Sequence, residues 1–462
     1  MAYEIVAIPD SVFRAYDIRG QIGTAFSENA YYTIGNAIAT LMKQQDRQVI
    51  YLGRDGRLTS PQLAKAMSAG LIDSGIDVID LGEVTSPMLY FATYQQRSDC
   101  GVMVTGSHNP ASDNGIKMVI AGRTLVFDDI QQLKNLIVNK TFHRGEGTYQ
   151  TTAIFDVYRD RIVSDHRIKR HFKVVVDCGN GIAGRYVPEV LTAMGCTVIP
   201  LYCDVDGRFP NHHPDPTIEA NLSDLKKLVK ETQADIGFAF DGDADRLGVI
   251  TPKGRLIWAD RVMMMLSKGV LKAEPGATIV YDVKCSANLP RYIESYGGRP
   301  VMSPTGHSVL KRVMQQEKAA LAGELSGHIF FKHRWFGFDD ALYSACRLLE
   351  LLSDDDRDAD QQFEDVPDSV STPEIHLPVD ESVKFSTMQT LVDKSVFTGG
   401  KKITLDGMRV EFDKGWGLLR ASNTTPCLVA RFEADDELAL TQIKQQFKQN
   451  IQQFAPQISS EF

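Results

Sequence analysis

Short apolar runs of strand length alternate along the chain with longer helix-length stretches, and one order of elements comes round three times. The first pass runs from the strand Gln48–Leu52 through a helix from about Ser60 to Ser74 to the strand Val78–Leu81. Its later strand, Cys100–Val104, ends in the polar loop Thr105-Gly106-Ser107-His108-Asn109-Pro110. The second begins at Lys173–Asp177, turns through Gly179, Gly181 and Gly184, and returns at Cys196–Leu201. Its later strand, the apolar run Ile236–Phe240, leads into Asp241-Gly242-Asp243-Ala244-Asp245-Arg246. The third begins at Ala277–Asp282, returns at Pro300–Ser303 and ends in Gly323-Glu324-Leu325-Ser326-Gly327-His328. Strands alternating with helices in this way predict parallel βαβ units.

The texture changes near the C-terminus. An acidic stretch, Ser353–Asp360, reads as a solvated helix end, and the Pro/Ser/Thr segment Val366–Pro373 as a linker. Beyond it, Gly407–Phe412 alternates like a strand, Leu428–Phe432 reads as another, and Glu437–Phe454 as an amphipathic closing helix. The fold class expected is therefore α/β: three similar mixed α/β-sheet domains and a smaller α+β C-terminal domain around a central cleft. The divisions fall at 1–152, 153–253, 254–366 and 367–462. Convergence of the three loop ends on that cleft is part of the same expectation, since ligands of open α/β sheets bind at strand ends.

Composition narrows the classes without choosing among them. A chain of 462 residues is too long for one core, and 43% apolar with 24% charged residues is ordinary for a globular protein. A net charge of −9 with no Lys/Arg run argues against a nucleic-acid partner, but leaves small anions open. The seven cysteines form no C-x-x-C pair and read as reduced thiols of a cytoplasmic protein. Met1–Asp10 has no apolar signal core, and no stretch approaches the roughly 18 apolar residues of a membrane span, so no membrane partner is expected.

The loops carry the chemistry. Asp241, Asp243 and Asp245 alternate, can close on one hard cation, and would repel one another without it. A helix–loop–helix calcium site also starts with alternating Asp, but it needs Gly at the sixth position and Glu at the twelfth. Here Arg246 and Pro252 stand there, so that reading fails. Ser107 is not in a G-x-S-x-G elbow, because Thr105 and Asn109 occupy the glycine positions. Alone it would be an ordinary turn serine. The stretch Arg420-Ala421-Ser422-Asn423-Thr424-Thr425-Pro426 gathers a guanidinium, hydroxyls and an amide suited to a phosphate dianion, or else to a plain polar hairpin. Phe13–Gly20 places Arg14, Tyr16 and Arg19 in a turn-prone stretch.

Taken together, T-G-S-H-N-P at Thr105–Pro110, D-G-D-A-D-R at Asp241–Arg246, G-E-L-S-G-H at Gly323–His328 and R-A-S-N-T-T-P at Arg420–Pro426 resemble the α-D-phosphohexomutases. The likeness lies with their bacterial phosphomannomutase/phosphoglucomutase branch and runs in order from Phe13 to Thr425. Leu325 before the sugar-loop serine and Ser422-Asn423-Thr424 in the phosphate loop favour mannose and glucose over glucosamine. The resemblance implies reversible exchange of hexose 1-phosphate and hexose 6-phosphate through a phosphoserine at Ser107. A hexose 1,6-bisphosphate serves as intermediate and activator, and turns over in the cleft. Mg²⁺ would be held by Asp241, Asp243, Asp245 and a phosphate oxygen on Ser107. Arg246 would neutralise charge, His108 would position the phosphate, and Arg19, Lys117 and His307 would form the polar cluster that handles the proton. Glu324 and Ser326 would hold O3 and O4 of the sugar, with Tyr16, Lys284, His307 and His328 completing the contacts. Arg420, Ser422, Asn423 and Thr424 would clamp the non-reacting phosphate. Small hexose phosphates are then the partners of a monomeric enzyme. A phosphatase or a non-catalytic sugar-phosphate sensor could use some of the same residues, but neither calls for all four loops.

Overall fold

The computed structural model describes residues 3–14, 17–422, 425–459 and 462. Its strands assemble into four sheets. In the first, Gly101–Val104, Val49–Arg54, Asp77–Glu83 and Tyr149–Thr151 run parallel, and Asp113–Ile120 returns antiparallel beside Gly101–Val104. In the second, Ile236–Phe240, Lys173–Asp177 and Thr197–Leu201 are parallel, with Leu247–Ile250 antiparallel beside the first of them. In the third, Arg299–Ser303, Thr278–Asp282 and Leu321–Gly323 are parallel, with Ile329–Phe331 antiparallel.

The βαβ expectation thus holds for the parallel strands and needs one addition. Each predicted loop (after Val104, Phe240 and Gly323) joins a parallel strand directly to an antiparallel neighbour. The physical reason is length. A parallel return needs a crossover of about a dozen residues or more, and these loops are too short for one. Every such loop is therefore fixed at both ends to the same sheet.

The fourth sheet is antiparallel. Gly415–Ala421 and Cys427–Ala434 form its central hairpin, so Arg420 lies within a strand and Ser422 just beyond it. Helices Lys384–Lys394 and Glu437–Phe454 pack against this sheet around Leu391, Leu419, Phe432 and Phe447. The closing helix matches the predicted range, and Asp436 caps it by accepting from the Ala439 N–H at 2.8 Å.

One large core, with residues from Tyr51 to Val366, spans the first three sheets, each of which also has a further core of its own, whereas the main core of the fourth is separate. The acidic stretch departs from the expectation. Asp358 caps a further short helix, Ala359–Glu364, and Asp360 is buried, where it accepts from Thr251 Oγ1 at 2.6 Å and from the Lys253 N–H at 2.8 Å. A charge run reads as solvated only if no neighbouring sheet offers donors, and here the second sheet does. The segment expected as a linker carries the short strand Val370–Ser371, which joins the fourth sheet. All seven cysteines are unpaired. Among the described residues no helix is long and apolar enough to cross a membrane.

Candidate active site

Ser107 is buried and takes a left-handed backbone conformation, φ 48°, which costs a non-glycine residue about 1 kcal/mol or more. Its surroundings hold it there. The Ser107 N–H donates to Thr105 Oγ1 at 2.9 Å, and the fully buried Arg57 donates to the carbonyls of Ser107, Asn109, Pro110 and Asp113. Asp55 completes the frame by accepting from Thr105 Oγ1 at 2.7 Å and from the Gly106 N–H at 3.1 Å, with Arg57 Nε 3.2 Å away. The serine hydroxyl is left free of these bonds and donates to Asp241 Oδ2 at 2.9 Å, with His108 Nδ1 at 3.2 Å.

This close approach of two loops depends on Gly242. A Cβ there would lie 2.2 Å from the Ser107 carbonyl oxygen. Asp241, Asp243 and Asp245 are fully buried, and each offers a carboxylate oxygen within 4.8 Å of the others'. Asp241 Oδ1 accepts from the N–H groups of Asp245 and Arg246, and Ser86 donates to Asp243 Oδ2 at 2.6 Å. Burial, followed by its two acidic neighbours, pushes Asp241 well above the usual carboxylate range. Burial also works against Asp243, but Lys117 and the donors around it hold its carboxyl below that range.

These features test the fit of a cation. Asp243 Oδ1 and Asp245 Oδ1 are buried without a hydrogen-bond partner, and the donor set is all oxygen, as a hard dication requires. The Lys117 ammonium reaches between Asp243, at 2.6 Å, and Asp245. Burial would lower its pKa, but those two carboxylates raise it well above the ordinary lysine value. A pocket that keeps a buried ammonium charged is one that calls for positive charge, so the Asp trio can hold a metal ion.

The other predicted residues gather on this centre. Arg246 Nε lies 3.1 Å from His328 Nε2, and the Leu247 N–H donates to Gly327 O at 3.1 Å, so the metal and sugar loops touch. Arg19 is paired with Asp17 at 2.6 Å and donates to Asn109 at 2.9 Å, beside the serine loop. His108 and His307 are both pushed well below the ordinary histidine value, chiefly by burial, and so are neutral. Ser326 donates to Glu324 at 2.8 Å, and Glu324 accepts from the Gly306 N–H at 2.6 Å. Lys284 lies 3.1 Å from Glu374 and 4.0 Å from Asp282. Burial would lower its pKa, but these acids and Glu324 raise it.

Arg420 reaches the same assembly from the fourth sheet. Its Nε donates to Asp406 at 2.9 Å; the same Asp406 oxygen accepts from the Thr305 N–H at 3.0 Å, and Thr305 precedes the start of the His307 helix. Ser422 Oγ and Thr425 Oγ1 are 2.8 Å apart. The serine, metal, sugar and clamp loops are thus linked in a chain of near neighbours. Tyr16, Asn423 and Thr424 lie outside the described residues.

Several supporting residues were not found from the sequence. Asp55, Arg57 and Ser86 frame the serine and metal loops, and Asp282, Glu374 and Asp406 pair the cations of the sugar and clamp loops. Asp339 is another: it is fully buried, 3.1 Å from His328 Nδ1, 3.6 Å from His307 Nδ1 and 2.6 Å from Lys311. Burial would raise its pKa, but Lys311 and the histidines hold it well below the usual range. The one usable signal was Arg54-Asp55-Gly56-Arg57, a charged tetrad directly after an apolar strand.

The chain is similar to known proteins in both sequence and fold. Four consecutive family models match: phosphoglucomutase/phosphomannomutase alpha/beta/alpha domain I over residues 10–144, domain II over 156–254, domain III over 258–370 and the C-terminal domain over 374–449. A Pseudomonas aeruginosa protein named phosphomannomutase/phosphoglucomutase is 49% identical over 444 residues, 96% of each chain. A Neisseria gonorrhoeae phosphoglucomutase is 45% identical over 452 residues, 97% of this chain and 98% of that one. A crystal structure of a phosphoglucomutase/phosphomannomutase family protein from Burkholderia thailandensis superposes with a TM-score of 0.94 at 43% identity, covering 98% and 99% of the two chains.

Proposed function

We propose that this chain, which belongs to the phosphoglucomutase/phosphomannomutase family, interconverts the 1- and 6-phosphates of both glucose and mannose. The observation that carries the reading is the Ser107 hydroxyl bonded to Asp241 of the carboxylate trio, with Arg420 tied through Asp406 to Thr305, next to the Gly306 N–H that Glu324 accepts. O1 and O6 lie across the hexose ring, so one phosphoryl group cannot pass directly between them. A phosphate stored on Ser107 removes the difficulty.

In the forward direction the sugar O6 attacks the phosphoserine. The P–Oγ bond breaks, a P–O6 bond forms, and the hydroxyl proton passes by way of the polar cluster of Arg19, Lys117 and His307 to Oγ of Ser107. The 1,6-bisphosphate then turns over. Oγ of Ser107 gives its proton up to the same cluster and attacks the phosphorus on O1, the P–O1 bond breaks, and O1 takes that proton. Mg²⁺ bound to Asp241, Asp243, Asp245 and the phosphoserine would supply Lewis-acid stabilisation of the transferring group. Arg246 adds fixed positive charge beside it, and His108 positions the phosphate. Glu324 and Ser326 read O3 and O4, which the turnover approximately exchanges, so one pair of contacts serves both orientations. O2, where glucose and mannose differ, is left unread.

Tyr16, Lys284, His307 and His328 complete the sugar and phosphate contacts, and Arg420, Ser422, Asn423 and Thr424 hold the phosphate that is not reacting. The divisions 1–152, 153–253, 254–366 and 367–462 give each of these loops its own domain. The test supplies glucose 1-phosphate and mannose 1-phosphate separately, with Mg²⁺ and a trace of the matching bisphosphate, and follows the 6-phosphates. Conversion of both epimers is expected, together with an intact-mass increase of one phosphate on the primed enzyme. Activity on one epimer only would refute the dual-substrate reading, and release of inorganic phosphate without isomerisation would replace the mutase by a hydrolase.

A further inference from the structure

A cavity of about 670 Å³ lies at the seam between the first and third sheets, lined by none of the residues given a catalytic or substrate role above. Its volume falls within the usual range of small-molecule sites. One wall is aromatic. Tyr94 stands 47% exposed, its ring 5.0 Å from that of Phe336, and the Phe336 and Phe338 rings are 6.1 Å apart and 2° from parallel. Among the neutral residues that make up most of the rest, positive charge is in excess: five Lys and Arg side chains line the cavity against two carboxylates, Asp128 and Asp129.

That charge is out of character for a chain of net charge −9, and much of it is not neutralised locally. Arg312 is paired with Asp129 at 3.8 Å, and Lys311 with Asp339 at 2.6 Å. Arg123, Lys318 and Lys332 are exposed, and among the described residues their side chains have no ion pair or hydrogen-bond partner. Flat rings beside free cations recognise a planar ring that carries phosphate, because a base stacks on the aromatic face while the cations take the anionic oxygens. A bare phosphate would leave the aromatic wall unused, and a neutral aromatic ligand would leave the cations unused.

We propose that this cavity is a binding site for a nucleoside diphosphate, its base on Tyr94 and Phe336 and its phosphates toward Arg123, Lys318 and Lys332. The proposal does not depend on the mutase reading.

The test is calorimetric titration of the full chain with ADP, GDP and UDP, and with inorganic pyrophosphate for comparison. The variants are Tyr94→Ala, Arg123→Glu combined with Lys318→Glu, and Arg420→Ala. All three cavity substitutions are on exposed side chains, and retained thermal unfolding transitions will verify folding. Tyr94→Ala is expected to weaken nucleotide binding roughly tenfold, as loss of one stacking ring does. The double charge reversal should weaken it by more than about tenfold, and Arg420→Ala should leave it unchanged. Absence of binding by the parent chain at millimolar nucleotide would overturn the proposal. So would binding that is lost with Arg420→Ala and kept in both cavity variants, which would put the nucleotide in the Ser107 cleft. Pyrophosphate binding as tightly as the nucleotides would remove the stacked base.

Discussion

Where the first three sheets meet, an aromatic cluster packs beside the polar contacts of the catalytic loops: Phe91 stacks on Trp335 at 5.8 Å, Tyr158 meets its edge at 6.2 Å, and Tyr343 stacks on it at 4.2 Å. Where the third meets the fourth, buried polar groups take over. Arg409 donates to the carbonyls of Val283 and Cys285 at 2.7 and 2.8 Å, Arg431 donates to that of Lys284, and Ser286 donates to Glu433 at 2.7 Å. Among the described residues, the buried apolar cluster across this second seam is Val283, Trp416 and Leu418, with Ala287 and Met302 partly buried against it. Opening an aromatic seam exposes apolar area to water, whereas a few directional bonds can be exchanged for water at lower net cost. On the function proposed above, the first three sheets would form the body that carries the chemistry, and the fourth would be the one to swing its clamp on and off the substrate.

The largest expected effect tests where the chemistry sits. Ser107→Ala should lower turnover by about 10³ or more, as loss of a covalent nucleophile does, with hexose 6-phosphate binding retained by calorimetry. A normal rate would remove the phosphoserine. Next, Trp335→Ala should cost about 3–5 kcal/mol of stability, read as a lower denaturant midpoint, while KM stays near that of the parent. A midpoint unchanged by that substitution would mean the aromatic seam does not bind the three sheets together.

Arg420→Ala should raise KM for both sugar phosphates roughly tenfold to a hundredfold, the usual loss for one charge-assisted phosphate contact. Unchanged KM and kcat would exclude it from the clamp. The smallest effect tests the polar seam itself. Arg409→Met should raise KM by less than about tenfold and leave the unfolding of the first three sheets unaltered. If it instead lowered the stability of the whole chain as much as Trp335→Ala, the contrast between the seams would fail.

The loops that carry the chemistry were legible because each is local: carboxylates two residues apart, or a guanidinium followed by hydroxyls, declare themselves within a few positions. Their supports were not. Arg57 sits some fifty positions before the carbonyls that it bonds, and Asp339 reaches His307 and His328 from a separate loop. No periodicity or spacing announces such pairings, because the fold alone brings them together. The same holds for Asp360, whose acidic neighbourhood suggested solvent although Thr251 and Lys253 bind it from another sheet. The antiparallel return after each loop escaped the βαβ reading for a different reason: strand direction leaves no trace in the residues themselves, only in the length of the connection.

That return also fixes what evolution or an engineer can change. A peptide pinned to neighbouring strands at its entrance and its exit has no slack, so one inserted residue would have to balloon outward and carry its side chain away from the substrate. The connections at the opposite rim, which run through helices, can lengthen without disturbing the catalytic side chains.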